Sequence, residues 1–278
     1  PQHKGKNIFS EIGQFFKEND AASAMNTIMD MTAALRLSEK RLFGAESKCN
    51  CKYTQLQVLQ ILLLFPCLMI KNAYNYSTSA LSCLFDCKKD VFYRFLSNEQ
   101  HDWRRILEIV SLQLWKKARE KGTSDGDTPV CLMVDDTDYP KRGIQTELIG
   151  KVYSHVTHAM MLGFKALFLG ITDGKTQMLL NFCLLGEKGK LGNYSLKQKQ
   201  LDARFSKEHA ADSPTAKRIK EYDTSKITLM IEMIKRVIPS GDMQIEAPAT
   251  LGAMTGAFGP GLFRNHAVVQ NAGGMKDA

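Results

Sequence analysis

Apolar residues recur along the chain with two different periods. From residue 8 to about residue 121 they return every three or four positions, as helices require. Ile8, Ile12, Phe15 and Phe16 share one face, and Met25, Ile28, Met29, Met31 and Leu35 continue the pattern, which predicts packing helices over 8–45. Thr54 suits the start of a helix running to Phe65, where Pro66 interrupts or kinks it. Ser79 to Phe85 and Asp90 to Leu96 read as short helices around the linker Asp86-Cys-Lys-Lys89. His101 to Lys121 reads as a long one, with Trp103, Ile106, Ile109, Val110, Leu112 and Leu114 on its buried side.

From Thr128 the helical spacing stops. Pro129-Val-Cys-Leu-Met-Val134, Phe164 to Ile171 and Gln177 to Leu185 are short β-prone runs, and the first ends in Asp135-Asp136-Thr137. Asp173-Gly174 joins the other two as a hairpin, because both turn positions tolerate positive φ. Residues 186–223 are polar and basic and read as a surface insertion. Thr224 is expected to cap an amphipathic helix whose apolar face is Ile227, Met230, Ile231, Ile234 and Ile238. The pattern predicts an α+β fold, with a helical, DNA-binding region over 1–124 and then an incomplete sheet of three strands with one or two helices over 125–240.

Charge narrows the class of partner. Lys and Arg number 37 against 29 Asp and Glu, a net charge of +8, which favours polyanions such as nucleic acid or an anionic membrane surface. The longest apolar run, Ile61 to Ile70, is broken by Pro66 and far shorter than a membrane span, so a soluble, intracellular protein is expected. The seven cysteines are odd in number, as in a reducing compartment. Cys49, Cys51, Cys83 and Cys87 have spacings that a four-thiolate zinc site could use, but buried free thiols explain them more simply. The chain begins with Pro rather than Met, so a preceding segment is expected. Lys88, Lys89, Arg94, Arg104 and Arg105 lie among short helices and tight turns compatible with a helix-turn-helix-like DNA module, or with a solvated bundle.

Carboxylates at the end of a buried strand are well placed to hold a hard cation, because the sheet fixes their oxygens while the strand end stays open. Asp135 and Asp136 occupy that place, although strand ends also carry Asp as turn formers. Consecutive strand residues point to opposite faces, so only one of the two serves a given site.

The order and spacing of several segments resemble a known family. These are Val134-Asp-Asp-Thr137, Tyr139-Pro-Lys-Arg-Gly143, Tyr153-Ser-His155, Gly163-Phe164, Leu169-Gly-Ile-Thr-Asp-Gly174 and Asn181-Phe-Cys-Leu-Leu185, preceded by Lys89 to Leu96 and Trp103-Arg104-Arg105. Together they are similar to bacterial insertion-sequence transposases of the DDE/DDD superfamily, over about residues 80–240. The resemblance implies a ribonuclease-H-like core in which three carboxylates hold two Mg²⁺ ions for in-line attack on a phosphodiester. It puts the first acid at Asp136, with Asp135 as the alternative in the other register. It also implies phosphate contacts from Lys141 and Arg142, partners in the DNA of the terminal inverted repeats and in further copies of the subunit, and a bacterial, nucleoid-associated location. His155 and His158 lack a third soft ligand nearby and are not expected to bind metal.

The resemblance stops near Gly241. The second and third acids of the family have no counterpart in Asp242-Met-Gln-Ile-Glu-Ala-Pro248 or in the rest of the chain. Residues 241–278 hold seven Gly, seven Ala and only two Lys or Arg, against 35 basic residues before them. An out-of-frame tail accounts for both changes, and the other reading frames of the gene test it. The expectation is a DNA transposase by lineage, inactive as this chain because one carboxylate of three holds Mg²⁺ weakly. The alternative is a non-catalytic remnant that binds DNA or partner subunits.

Overall fold

A computed structural model describes residues 21–48, 51–122, 130–186, 195–222 and 224–237, together with the backbone of 267–270. The chain divides into two compact units, Pro1–His101 and Asp102–Ala278. Part of the predicted helix over 8–45 and nearly all of the 241–278 tail lie outside the described residues.

The first unit is helical: α1 (Ala21–Ala34), α2 (Glu39–Phe43), α3 (Gln55–Cys67) and α4 (Lys89–Leu96), with 3₁₀ turns at Ala73–Thr78 and Ala80–Cys83. Thr54 caps α3 as expected. Its hydroxyl accepts the Gln57 N–H while the Gln57 side chain accepts the Thr54 N–H, a reciprocal capping box. Pro66 falls in the last turn of α3, so the helix runs through it to Cys67. Phe65, Tyr76 and Phe92 form the centre of the core, with Tyr76 and Phe92 rings 4.8 Å apart.

The second unit opens with α5 (Trp103–Glu120) and continues with β1 (Cys131–Pro140), β2 (Gly150–Ser154), β3 (Ala159–Thr172) and β4 (Gln177–Leu185). Then come α6 (Gln198–Asp202), α7 (Pro214–Glu221), α8 (Lys226–Val237) and β5 (Ala267–Gln270). This is an α+β fold on an open antiparallel sheet. The order is β2-β3-β1-β5, with β4 also paired to β3. Long β3 therefore lies at the centre. Its first residues pair with β2, the rest with β4, and β1 runs along its other edge from Thr172 back to Gly163.

Gly163 sits where β3 exchanges partners. Its φ is 153°, and a Cβ there would lie 2.3 Å from the Tyr139 carbonyl oxygen, so no other residue fits. The Asp173-Gly174 hairpin forms as expected. Asp173 Oδ1 accepts the Lys175 and Thr176 N–H groups, and Gly174 takes φ 86°.

One face of the sheet is covered by helices. Leu112 and Trp115 of α5 and Leu229, Met233, Ile234 and Val237 of α8 pack on Leu132, Val134, Leu167, Leu169 and Ile171. In α5 the buried side chains are Arg104, Ile106, Ser111, Leu112 and Trp115, not all of the residues expected.

The structure corrects several expectations. Three helices rather than one or two, α6, α7 and α8, lie among the described residues of 125–240, two of them within the expected surface insertion. The first strand does not stop at Val134 but continues through the acids to Pro140, because β3 is long enough to pair with all of it. The sheet has more than three strands. Gly150–Ser154 forms β2, which polar Lys151 and Ser154 hid. In α8 the buried face is Leu229, Met233, Ile234 and Val237, while Ile227 is 54% exposed. The helix begins at Lys226 with Ser225 rather than Thr224 accepting from the first turn, the Thr228 N–H at 3.1 Å.

Candidate functional site

Because β1 continues past Val134, its alternation decides where each acid points. Leu132, Val134, Asp136 and Asp138 share the helix-covered face; Asp135 lies on the other and is exposed. Asp135 Oδ1 accepts the N–H of Asp136 at 2.8 Å. Opposite Asp136 stands Leu167, and opposite Asp138 stands Lys165, both on the same face of β3.

The result is a lysine-laced pair of carboxylates. Lys165 Nζ lies 2.5 Å from Asp138 Oδ1 and 3.9 Å from Asp136 Oδ2. From the first turn of α8, Lys226 Nζ reaches Asp136 Oδ1 at 2.6 Å. The Ser154 hydroxyl, at the end of β2, donates to Asp138 Oδ2. The Lys165 hydrogen bond, helped by Ser154, holds the Asp138 carboxyl below its ordinary range. Both acids and Lys165 are largely shielded, with side chains 15–22% exposed, whereas Lys226 is 52% exposed.

Beside this group opens a cavity of about 430 Å³. Asp136, Lys151, Lys165 and Lys226 line it with Tyr153 and His155. The Tyr153 and His155 rings meet edge to face, 5.2 Å apart. Asp135, on the opposite face, is not among the lining residues.

Asp138, Lys165, Lys226 and Ser154 were not singled out from sequence. The signal was present for Asp138: Asp136-Thr-Asp138 places two acids on one strand face once the strand is read through to Pro140. Lys226 becomes visible only when α8 is packed on the sheet.

A divalent cation fits this donor set poorly. Asp136 and Asp138 could offer two carboxylates to Mg²⁺, but Lys226 and Lys165 already neutralise them, and the ion would have to displace both ammonium groups. Among the described residues no three His, Cys, Asp or Glu side chains gather to hold a metal. Cys51 and Cys83 are exposed and Cys87 is buried, and Cys49 lies outside the described residues.

The basic residues proposed for DNA fall into different settings. Lys88, Lys89 and Arg94 are exposed on and beside α4. Lys89 Nζ lies 5.2 Å above the Tyr74 ring, and Arg94 Nε donates to the Asp90 carbonyl. Arg105 and Arg142 are exposed, and Lys141 Nζ lies 4.3 Å from the Tyr139 ring centroid. Arg104 differs from all of these. It is 6% exposed, with both terminal nitrogens on Glu221 and one near Cys183 Sγ. The expected helix-turn-helix would join α4 of the first unit to α5 of the second.

Among the described residues no helix is long and apolar enough to cross a membrane. No protein-family model, curated protein or solved structure matches the chain.

Proposed function

We propose that the chain is an insertion-sequence DNA transposase by lineage, of the DDE type with a ribonuclease-H-like core, and that in its present form it binds DNA without cutting it. The observation that carries the reading is the position of Asp136. It stands on β1, on the helix-covered face of the antiparallel β4-β3-β1 part of the sheet, and opens onto a cavity. That is where the lineage would keep its first acid. Lys151 on the cavity wall and the net charge of +8 suit a phosphodiester backbone, which is recognised chiefly by cations.

The lysines that close Asp136 and Asp138 favour the non-catalytic half of the proposal. A metal ion at either carboxylate would first have to displace its ammonium partner. The test pairs a gel shift in EDTA with a strand-cleavage assay in Mg²⁺, both on duplex DNA from the ends of the encoding element. Binding without cleavage is expected. Cleavage above that of the Asp135→Ala/Asp136→Ala double variant would overturn the non-catalytic reading, and failure to bind DNA would overturn both halves.

A further inference from the structure

A second polar cavity, of about 350 Å³, lies within the second unit, lined from α5, β4, α7 and α8. Five basic side chains line it: Arg104, Arg105, Lys217, Arg218 and Arg236. Against them stand three carboxylates, Asp102, Glu108 and Glu221, so the lining is net positive. Glu221 is shared by two of the guanidinium groups. Arg104 takes both its oxygens, and Arg236 Nη2 reaches Oε1 at 3.1 Å.

Arg218 has no such partner among the described residues. Its guanidinium lies 4.9 Å from the Phe182 ring centroid, and its Nε is buried without a hydrogen bond, as is Nε of Arg104. A guanidinium does not escape burial by losing its proton. A shielded cation beside a second guanidinium is costly unless an anion joins them. Burial first, then the Arg104 charge, lowers the proton affinity of Arg218, which marks the same unmet demand for negative charge. Buried Asn181 lines the same space, and because its Oδ1 accepts the Phe182 N–H, its NH₂ remains as a further donor.

We propose that this cavity is a phosphate-binding site, in which Arg218, with Arg105 and Lys217 at its mouth, takes a tetrahedral phosphate group. Planar guanidinium forks match phosphate oxygens in pairs, and the volume admits such a group with its ester substituents. The site rests on charge and burial, and it stands whether or not the transposase lineage holds. The phosphate can belong to a nucleic-acid strand or to a free phosphate.

The experiment uses the full chain, with thermal unfolding and calorimetric titration read against two probes. One is inorganic phosphate, and the other is a short DNA duplex with and without a 5′-phosphate. Saturable stabilisation by either probe, weakened about tenfold or more in Arg218→Gln, is expected from the loss of charge-assisted hydrogen bonds. A response to phosphate alone assigns a free anion, and a response to duplex assigns a strand. Without any probe, Arg218→Gln should be at least as stable as the parent, because a part-buried cation whose Nε has no hydrogen-bond partner has been removed. A merely structural arginine would lose stability instead. The double variant Arg105→Gln/Lys217→Gln, both at exposed positions, provides the same comparison should Arg218→Gln fail to fold. No response in the parent chain, or an equal response in the variants, overturns the proposal.

Discussion

Asp136 and Asp138 are tied to each other through Lys165, but the two lysines at this site are not equivalent. Lys165 is largely shielded and Lys226 is half exposed. Removing one partner from a shielded pair strands a charge, so Lys165→Met should cost about 3 kcal/mol in urea unfolding. Lys226→Ala should cost less than about 1 kcal/mol, because solvent screens it. Equal effects would contradict this geometry.

His101 and Asp138 are among the groups that make stability depend on pH, and they act in separate windows. Burial between the Phe43 and Phe95 rings, beside Gln55 and Asn98, lowers the pKa of His101. The unfolded chain therefore takes up the proton first as pH falls. The contribution of neutral His101 is complete above its unfolded value of about 6.5 and is lost as pH falls below it. Asp138, lowered by Lys165, contributes fully above about pH 4 and loses that contribution as pH falls through its folded value. His101→Gln should flatten the decline between pH 7 and 5, and Asp138→Asn should flatten only the decline below pH 4, both read from unfolding midpoints. A His101→Gln chain with an unchanged pH profile would refute the first assignment.

At the scale of elements, α8 provides the sharpest test of packing. Leu229 is fully buried and Ile227 is 54% exposed, although both are large aliphatic residues on one helix. Leu229→Ala should cost about 2–5 kcal/mol and Ile227→Ala within about 0.5 kcal/mol, measured by denaturant unfolding. The face expected from sequence, Ile227, Met230, Ile231 and Ile234, overlaps the one the sheet selects at Ile234, with Met230 packed at its edge and Ile227 turned out. Thr54 was readable because its capping box is local, and Thr54→Ala should cost about 1 kcal/mol. The Asp173-Gly174 hairpin was readable for the same reason.

The length of β1 was not local information. Asp135, Asp136 and Asp138 are poor strand formers, and they stay extended because β3 pairs with this segment as far as Gly163. That one extension decides the site. It moves the acids from a strand end to its interior, sorts Asp136 from Asp135 by face, and brings Asp138 to Lys165. The alternation of side chains along a strand, readable from sequence, put the two adjacent acids on opposite faces, and the register with β3 decided which of them faces the helices. The lysines that close the acids come from β3 and from α8, and only tertiary packing could reveal them.

For the whole molecule, the net charge of +8 and the exposed lysines should make the proposed association with DNA strongly dependent on salt. Affinity should fall steeply and linearly on a logarithmic scale as salt rises. Carboxylates closed by ammonium groups should leave that binding indifferent to Mg²⁺ beyond its effect as an added salt. In the proposed function this chain engages DNA while its acids remain ion-paired rather than metal-bound. The most direct test is strand cleavage by the full chain on element-end duplex in Mg²⁺, with binding confirmed in EDTA. A shifted complex and no cleavage above that of the Asp135→Ala/Asp136→Ala chain are expected. Mg²⁺-dependent cleavage lost in that double variant would contradict this reading.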